Sequence, residues 1–232
     1  MFIGHAACGF ACKRAAPRAS LGILLAAPYL ADLLWPIFLL LGWERVRIAP
    51  GITAMTPLDF VSYPWSHSML MLIVWGALLG FGYRALTRDG RGAWIVAALV
   101  VSHWVLDVIV HRPDMPLVPW GGPRLGLGLW NSKAATLAVE VPLAIAGVAV
   151  YLATTRARNW VGHVSLWSLQ ALLAFAYFGT MNGPPPPSER ALAYFGLVGF
   201  LFVPWAMWIE RTRTLREKLP TVVVARAPAR EL

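Results

Sequence analysis

Six long apolar runs alternate with short polar joints along this chain. The runs cover residues 21–41, 68–86, 93–110, 134–151, 161–178 and 191–209, and charged or proline- and glycine-rich segments separate them. Each run comes close to the roughly 20 apolar residues that a helix needs to cross a bilayer. An open sheet would leave backbone groups unpaired in hydrocarbon. We therefore predict an all-α fold, a polytopic membrane helix bundle of about six transmembrane helices.

The composition agrees with this prediction and limits the domain organisation. Hydrophobic residues make up 58% of the 232 residues and charged residues only 13%, a balance more apolar than that of soluble domains. Six spans with short loops use up nearly the whole length. We predict a cytoplasmic N-terminal segment over residues 1–20, a six-helix transmembrane domain over residues 21–210 and a cytoplasmic basic tail over residues 211–232.

The positive charge of the chain indicates its orientation in the membrane. A net charge of +9 would suggest nucleic acid as the partner of a soluble protein, but here the basic residues flank apolar runs. Most of the 20 lysines and arginines lie in residues 13–18, 84–91, 156–158 and 211–230. Because cytoplasmic loops collect Lys and Arg, we predict that both termini are cytoplasmic. We expect a multi-pass inner-membrane protein that contacts membrane lipid and binds no nucleic acid.

Several ionisable residues lie within the apolar runs or at their ends. A charged side chain at the centre of a transmembrane helix costs about 2.5–3.5 kcal/mol on insertion scales. His103, Asp107 and His111 are spaced four residues apart in the third run, so they share one helix face. Imidazole nitrogens and a carboxylate at that spacing are typical ligands of a first-row divalent ion. Asp114 follows Pro113 and could reach back to the same face.

The predicted topology brings further polar residues to this face. His67 and His111 fall at the outer ends of their helices, and Asp32, His103, Asp107 and Glu140 lie deeper. The pattern thus predicts one cavity in the outer half of the membrane. Three basic residues belong to the same outer side, where they could bind an anionic headgroup: Arg112, Arg124 and Lys133.

Three short motifs resemble a known family. The segment APYLADLLWP, a Ser-His-Ser at the head of a helix and a His-x3-Asp within an apolar helix resemble the membrane-bound metal-dependent hydrolases of bacterial inner membranes. That family is distantly similar to zinc-dependent phospholipases and nucleases. The resemblance covers roughly residues 25–115 and implies that Asp32, His67, His103 and Asp107 are metal ligands. This chain has Ala-Asp-Leu-Leu where the family more often has Pro-Asp-hydrophobic-Asp, so it lacks one carboxylate.

The leading hypothesis from the sequence is a metal-dependent hydrolase that acts on a phosphoester or lipid. Zinc is the first candidate metal and manganese the second, with Asp107 or Glu140 as ligand or general base. Two alternatives remain open. One is a proton- or ion-coupled transporter that uses the same acidic and histidine residues, and the other is a structural membrane protein that binds no metal.

Overall fold

The structure, a computed structural model, describes residues 1–216 and is mostly helical, with 66% of the residues in helices. The α-helices are α1 (Ile3–Cys12), α2 (Leu21–Ala26), α3 (Leu30–Leu40), α4 (Pro64–His67), α5 (Met69–Thr87), α6 (Gly90–Val110), α7 (Lys133–Thr154), α8 (Trp160–Asn182), α9 (Glu189–Val198) and α10 (Phe202–Arg211). Single 3-10 turns lie at Leu129–Asn131 and Gly199–Leu201. Lys218, Arg226 and Arg230 of the predicted basic tail lie outside the described residues.

Within residues 1–216, five helical segments are long and apolar enough to cross a membrane. They are α5, α6, α7, α8 and the continuous segment Glu189–Arg211 formed by α9 and α10. Side-chain caps begin all five, because Ser68, Asp89, Ser132, Asn159 and Ser188 accept hydrogen bonds from backbone N–H groups three residues ahead. Much of their apolar surface faces outward, as expected for a helical bundle in lipid. These five segments match the last five predicted runs.

The first predicted span is different, because residues 21–41 form two short helices rather than one. The break falls at Ala27–Tyr29, between α2 and α3. Pro28 has no N–H group and its ring obstructs the preceding turn, so a continuous helix is disfavoured at this point. The Pro28 carbonyl oxygen accepts a hydrogen bond from the His103 side chain on α6. The break therefore contributes directly to the histidine cluster described below.

The first helix, α1, packs inside the bundle, whereas the sequence predicted a separate segment before the first span. Its residues Gly4, His5, Ala7 and Phe10 are buried, and it packs mainly against α7 and also against α2 and α6. Small side chains make this possible, since Gly147 of α7 lies directly against the Ala7 backbone. At its far end, the Lys13 ammonium donates to Glu210 at 2.5 Å, close to the end of α10. Residues 1–20 are therefore structurally part of the bundle.

Six short strands form three antiparallel pairs in the described part of the chain. β1 (Arg45–Ile48) pairs with β2 (Leu58–Ser62), β3 (Met115–Pro116) with β4 (Arg124–Leu125), and β5 (Thr155–Ala157) with β6 (Arg213–Leu215). The first two pairs belong to the loops before α4 and after α6. The third pair holds the end of α7 beside the end of α10. The bundle thus has a β5–β6 end and an opposite end that carries β1–β4.

Candidate metal centre

The predicted stripe on α6 is present and buried. His103 Nε2 lies 3.1 Å from Asp107 Oδ2, one turn farther along the helix. His111 directly follows the last residue of α6, and its Nε2 lies 3.6 Å from the same carboxylate oxygen. The three side chains are almost completely excluded from solvent. The stripe therefore presents two imidazoles to one carboxylate.

His67 and Asp32 approach the same histidine from another side. His67 ends the single turn α4, and its Nε2 lies 3.5 Å from Oδ1 of Asp32 on α3. The rings of His67 and His103 are 5.0 Å apart and nearly perpendicular. Asp32, His67 and His103 can each direct one ligand atom to a common point, all within 4.8 Å of one another.

His5 completes the cluster, and the sequence analysis missed it. Its ring stacks on that of His103 with centroids 4.0 Å apart, and its Nε2 lies 3.0 Å from Asp107 Oδ1. His5, His103 and Asp107 form a second group of converging ligand atoms. The available signal was a histidine inside a short apolar stretch, IGHAACGFAC. That stretch is too short to cross a membrane, so its position next to Asp107 depends on tertiary packing.

Hydrogen bonds at the other ring nitrogen fix the tautomer of two cluster histidines. His103 Nδ1 lies 2.7 Å from the Pro28 carbonyl oxygen, and His111 Nδ1 lies 3.0 Å from Asp114 Oδ1. A carbonyl or carboxylate oxygen only accepts, so each Nδ1 carries a proton and donates it. In a neutral imidazole, Nε2 then keeps a lone pair. Both Nε2 atoms lie close to the carboxylate of Asp107, at 3.1 and 3.6 Å.

His67 is oriented by a chain of hydrogen bonds that starts at Glu44. The Glu44 carboxylate accepts from the backbone N–H groups of Trp65 and Ser66 and, at 2.6 Å, from the Ser66 hydroxyl. The Ser66 oxygen lies 2.6 Å from His67 Nδ1. Burial raises the pKa of Glu44 to about 7, and above that pH the ionised carboxylate can only accept. The Ser66 oxygen then accepts a hydrogen bond from His67 Nδ1. The lone pair of His67 Nε2 is left free to bind a metal ion.

These contacts fit a divalent cation. An imidazole lone pair and an ionised carboxylate repel each other unless a proton or a metal ion lies between them. Neighbouring ligand atoms around four-coordinate zinc are about 3.3 Å apart when metal–ligand bonds are about 2.0–2.1 Å, and the distances at Asp107 are 3.0, 3.1 and 3.6 Å. The backbone nitrogen of Met1 also contacts Asp107 Oδ1. His5, Asp32, His67, His103 and Asp107 are thus the residues that could hold metal, and the predicted ligand His111 lies beside Asp107 but outside both groups.

Two acidic residues that the sequence predicted at the metal site, Asp114 and Glu140, make other contacts instead. Asp114 Oδ1 binds the Tyr63 hydroxyl at 2.8 Å and His111 Nδ1, so Asp114 supports His111 rather than joining either ligand group. Glu140 Oε2 accepts the backbone N–H groups of Phe2 and Ile3 at 2.8 and 3.1 Å. It therefore holds the beginning of α1, where its negative charge is favourable for the helix.

Two of the three predicted anion-binding residues line a pocket next to the cluster. The pocket has a volume of ≈ 510 Å³, and Asp114 and Phe60 in its wall both contact His111. Arg112 and Arg124 line it together with Arg47, Asp59 and Asn131. Lys133 is elsewhere: its ammonium donates to the carbonyl oxygen of Met181 and lies 3.3 Å from the Asn182 side chain.

The cluster is least enclosed by protein on the side of Asp32. The Asp32 side chain is 41% exposed, whereas those of His67, His103, Asp107 and His111 are at most 3% exposed. In the described part of the chain, the hydrogen bonds and ion pairs of Asp32 involve only its Oδ1 atom, with His67. Asp32 is therefore the member of the cluster that can interact with an incoming water molecule or substrate.

No protein-family model matches this chain, and no curated protein or solved structure matches it. The resemblance carried by the three sequence motifs therefore stays a prediction, and the function has to be inferred from the site itself.

Proposed function

We propose that this protein is a metal-dependent hydrolase that cleaves a phosphoester at a site inside the membrane bundle. The observation that carries the proposal is the convergence of four imidazoles on Asp107 and Asp32. Hydrogen bonds to acceptor groups keep the proton of His103 and His111 on Nδ1, and their Nε2 atoms lie 3.1 and 3.6 Å from Asp107. Buried carboxylates and imidazole lone pairs at such distances are favourable when they share a cation.

Zinc is the preferred metal and manganese the second candidate. Imidazole nitrogens with carboxylate oxygens suit zinc, and a larger share of oxygen ligands suits manganese. His103 belongs to both ligand groups, but its Nδ1 donates to Pro28 and only the Nε2 lone pair remains, so His103 would bind one ion. A bound ion of this kind would supply an activated water molecule and polarise a phosphoryl oxygen.

The chain's own residues divide the remaining tasks. Both carboxylate oxygens of Asp107 face histidines, so Asp107 acts as a ligand and has no free oxygen for a proton. Glu140 is engaged by the start of α1, and we assign it a positioning role. Asp32 has the accessible carboxylate, so we assign the acceptance of a proton from water to Asp32 rather than to Asp107 or Glu140.

We further propose that the protein lies in the inner membrane with its β5–β6 end facing the cytoplasm and its opposite end facing outward. The distribution of basic residues supports this orientation, because residues 156–158 and 211–216 are rich in arginine and lie together at the β5–β6 end. In this orientation residues 13–20 lie near the cytoplasmic side. The pocket next to His111 then opens outward.

The test is hydrolysis by purified protein in detergent, with an activated phosphodiester and a short-chain phospholipid as substrates. Wild type loaded with zinc or manganese should release product, and a chelator should abolish the reaction until metal is restored. His103→Ala should be inactive, and His163→Ala should be as active as wild type because His163 is exposed on α8, outside the cluster. Metal-loaded wild type that cleaves neither substrate but carries ions across proteoliposome membranes would contradict the hydrolase and favour the transporter.

A further inference from the structure

Three arginines from separate parts of the chain line the pocket beside the metal centre. Arg47 lies on β1, Arg112 follows α6 and Arg124 lies on β4. Three like charges around one pocket repel each other unless counter-charges are present. The pocket wall contributes two carboxylates, Asp59 and Asp114. These five side chains together carry one formal positive charge in excess.

Asp59 holds two of the arginines in place. Its Oδ2 lies 2.5 Å from Arg47 Nη2 and its Oδ1 lies 2.7 Å from Arg112 Nη2. Arg112 Nη2 also lies 3.7 Å from Asp114 Oδ2. Both oxygens of Asp59 are thus occupied, while each guanidinium has five N–H donors and uses few of them here. The carboxylates therefore orient the arginines without satisfying all their hydrogen-bonding capacity.

Arg124 is the one of the three arginines that forms no ion pair in the described residues. Its one side-chain hydrogen bond in the described residues is a long one, 3.4 Å, from Nη1 to the Val61 carbonyl oxygen. Arg112, by contrast, forms ion pairs with two carboxylates. The amide of Asn131 lies in the same wall. A group with several acceptor oxygens and a negative charge would satisfy this excess of donors, and planar guanidinium groups bind phosphate oxygens in pairs.

We propose that this pocket binds the phosphate group of a phosphoester. Its volume of ≈ 510 Å³ is in the range of small-molecule sites and exceeds what a bare phosphate needs. Exposed aromatic and aliphatic side chains lie in the same loop regions, with Trp43 59% exposed and Trp120 and Leu127 each 76% exposed. Tryptophans of this kind are enriched at the headgroup level of membranes, so a phospholipid headgroup is the favoured source of the phosphate.

The pocket and the metal cluster share a wall. Asp114 lines the pocket and binds His111 Nδ1, and the Phe60 ring lies 4.8 Å from the His111 ring. The role of the bound phosphoester as substrate rests on the proposed hydrolase function. The binding itself depends only on the arginines and requires no metal.

The test is binding of two probes, inorganic phosphate and dioctanoyl phosphatidate, to protein in neutral detergent by titration calorimetry. Each titration is run with metal-loaded and with chelator-stripped protein. The decisive variant is Arg124→Gln, because Arg124 is exposed and makes no ion pair in the described residues. Arg45→Gln is the matched control, since Arg45 is also exposed and on β1 but does not line the pocket.

We expect stripped wild type and Arg45→Gln to bind a phosphate probe equally well, and Arg124→Gln to bind it at least about tenfold more weakly. Much tighter binding of phosphatidate than of phosphate would identify a lipid source, and equal binding would identify a soluble one. Equal affinity of Arg124→Gln and wild type, or no binding of either probe to stripped wild type, would overturn the proposal. If the protein cannot be loaded with metal, arginine-dependent binding of the probe would still uphold the pocket, whereas the hydrolase would be refuted.

Discussion

The proton on Nδ1 of each histidine determines what the cluster can bind. His103 and His111 donate this proton to a backbone carbonyl and to a carboxylate, so their tautomer is fixed by groups that cannot donate. His67 is different, because its partner is the Ser66 hydroxyl, which can accept or donate. The state of His67 therefore depends on the next group in the chain, Glu44.

Replacing Glu44 by glutamine should weaken metal binding about 10- to 100-fold. The glutamine amide can donate to the Ser66 oxygen, which allows the Ser66 hydroxyl to donate to His67 Nδ1. The His67 proton would then move to Nε2, and Nε2 would have no lone pair with which to bind the metal ion. The measurement is the metal dissociation constant by competition with a chelating dye at pH 8, where the wild-type carboxylate is ionised because burial raises its pKa only to about 7.

Asp59→Asn is the control for the Glu44 experiment, because Asp59 is an acidic residue of the same outer loops that contacts Arg47 and Arg112 but no histidine. It should keep the wild-type metal affinity. Equal affinities of wild type and Glu44→Gln would show that Ser66 orients His67 without help from Glu44.

At the scale of elements, the short helix α1 decides whether the cluster is complete. It brings His5 to Asp107, and its position depends on the close contact between Gly147 of α7 and the Ala7 backbone. Glu140, on the same helix as Gly147, binds the backbone N–H groups at the start of α1. Helix α7 therefore positions α1 in two ways, by close packing and by hydrogen bonding.

Gly147→Ala should lower both stability and metal affinity, because the new methyl group would overlap the Ala7 backbone and push α1 away. Overpacking of this kind costs about 1–3 kcal/mol. The measurements are the thermal unfolding midpoint in detergent and the metal content of the same sample. Gly82→Ala on α5 is the control, since a Cβ atom there meets nothing within 4 Å and alanine favours a helix.

A Gly147→Ala protein with wild-type metal content and an unchanged unfolding midpoint would show that the contact between α1 and α7 tolerates a shift. The position of His5 would then not depend on close packing at Gly147. Equal losses in Gly147→Ala and Gly82→Ala would point to a general effect of replacing helix glycines in this bundle.

At the scale of the whole molecule, the long helices were predictable from the sequence and the short ones were not. Residues 93–110 and 134–151 were predicted as spans and lie within α6 and α7, because roughly 20 apolar residues leave few other structures in lipid. Helix α1 has only 10 residues, and the length criterion does not detect it. The break at Pro28 was hidden by the apolar residues on both sides.

The residues of the candidate metal site also divide into those that the sequence predicts and those that it does not. The four-residue spacing of His103, Asp107 and His111 predicted their shared position, because helix geometry alone brings them together. His5 and Glu44 could not be predicted in this way, since tertiary contacts across 102 and 22 residues of sequence separation place them. Asp114 and Glu140 lie near the cluster, where Asp114 Oδ1 binds His111 and Glu140 Oε2 binds the start of α1, while Glu140 Oε1 has no hydrogen-bond partner in the described residues.

The central claim is that histidines from α1, α4 and α6 hold a divalent metal ion, and metal content per chain measured by plasma mass spectrometry tests it most directly. Wild type and the exposed-histidine variant His163→Ala, purified without chelator, should carry near-stoichiometric zinc or manganese. His5→Ala and His103→Ala should lose it while remaining folded and monodisperse. Metal-free wild type, or a His5→Ala protein that keeps as much metal as wild type, would contradict the account.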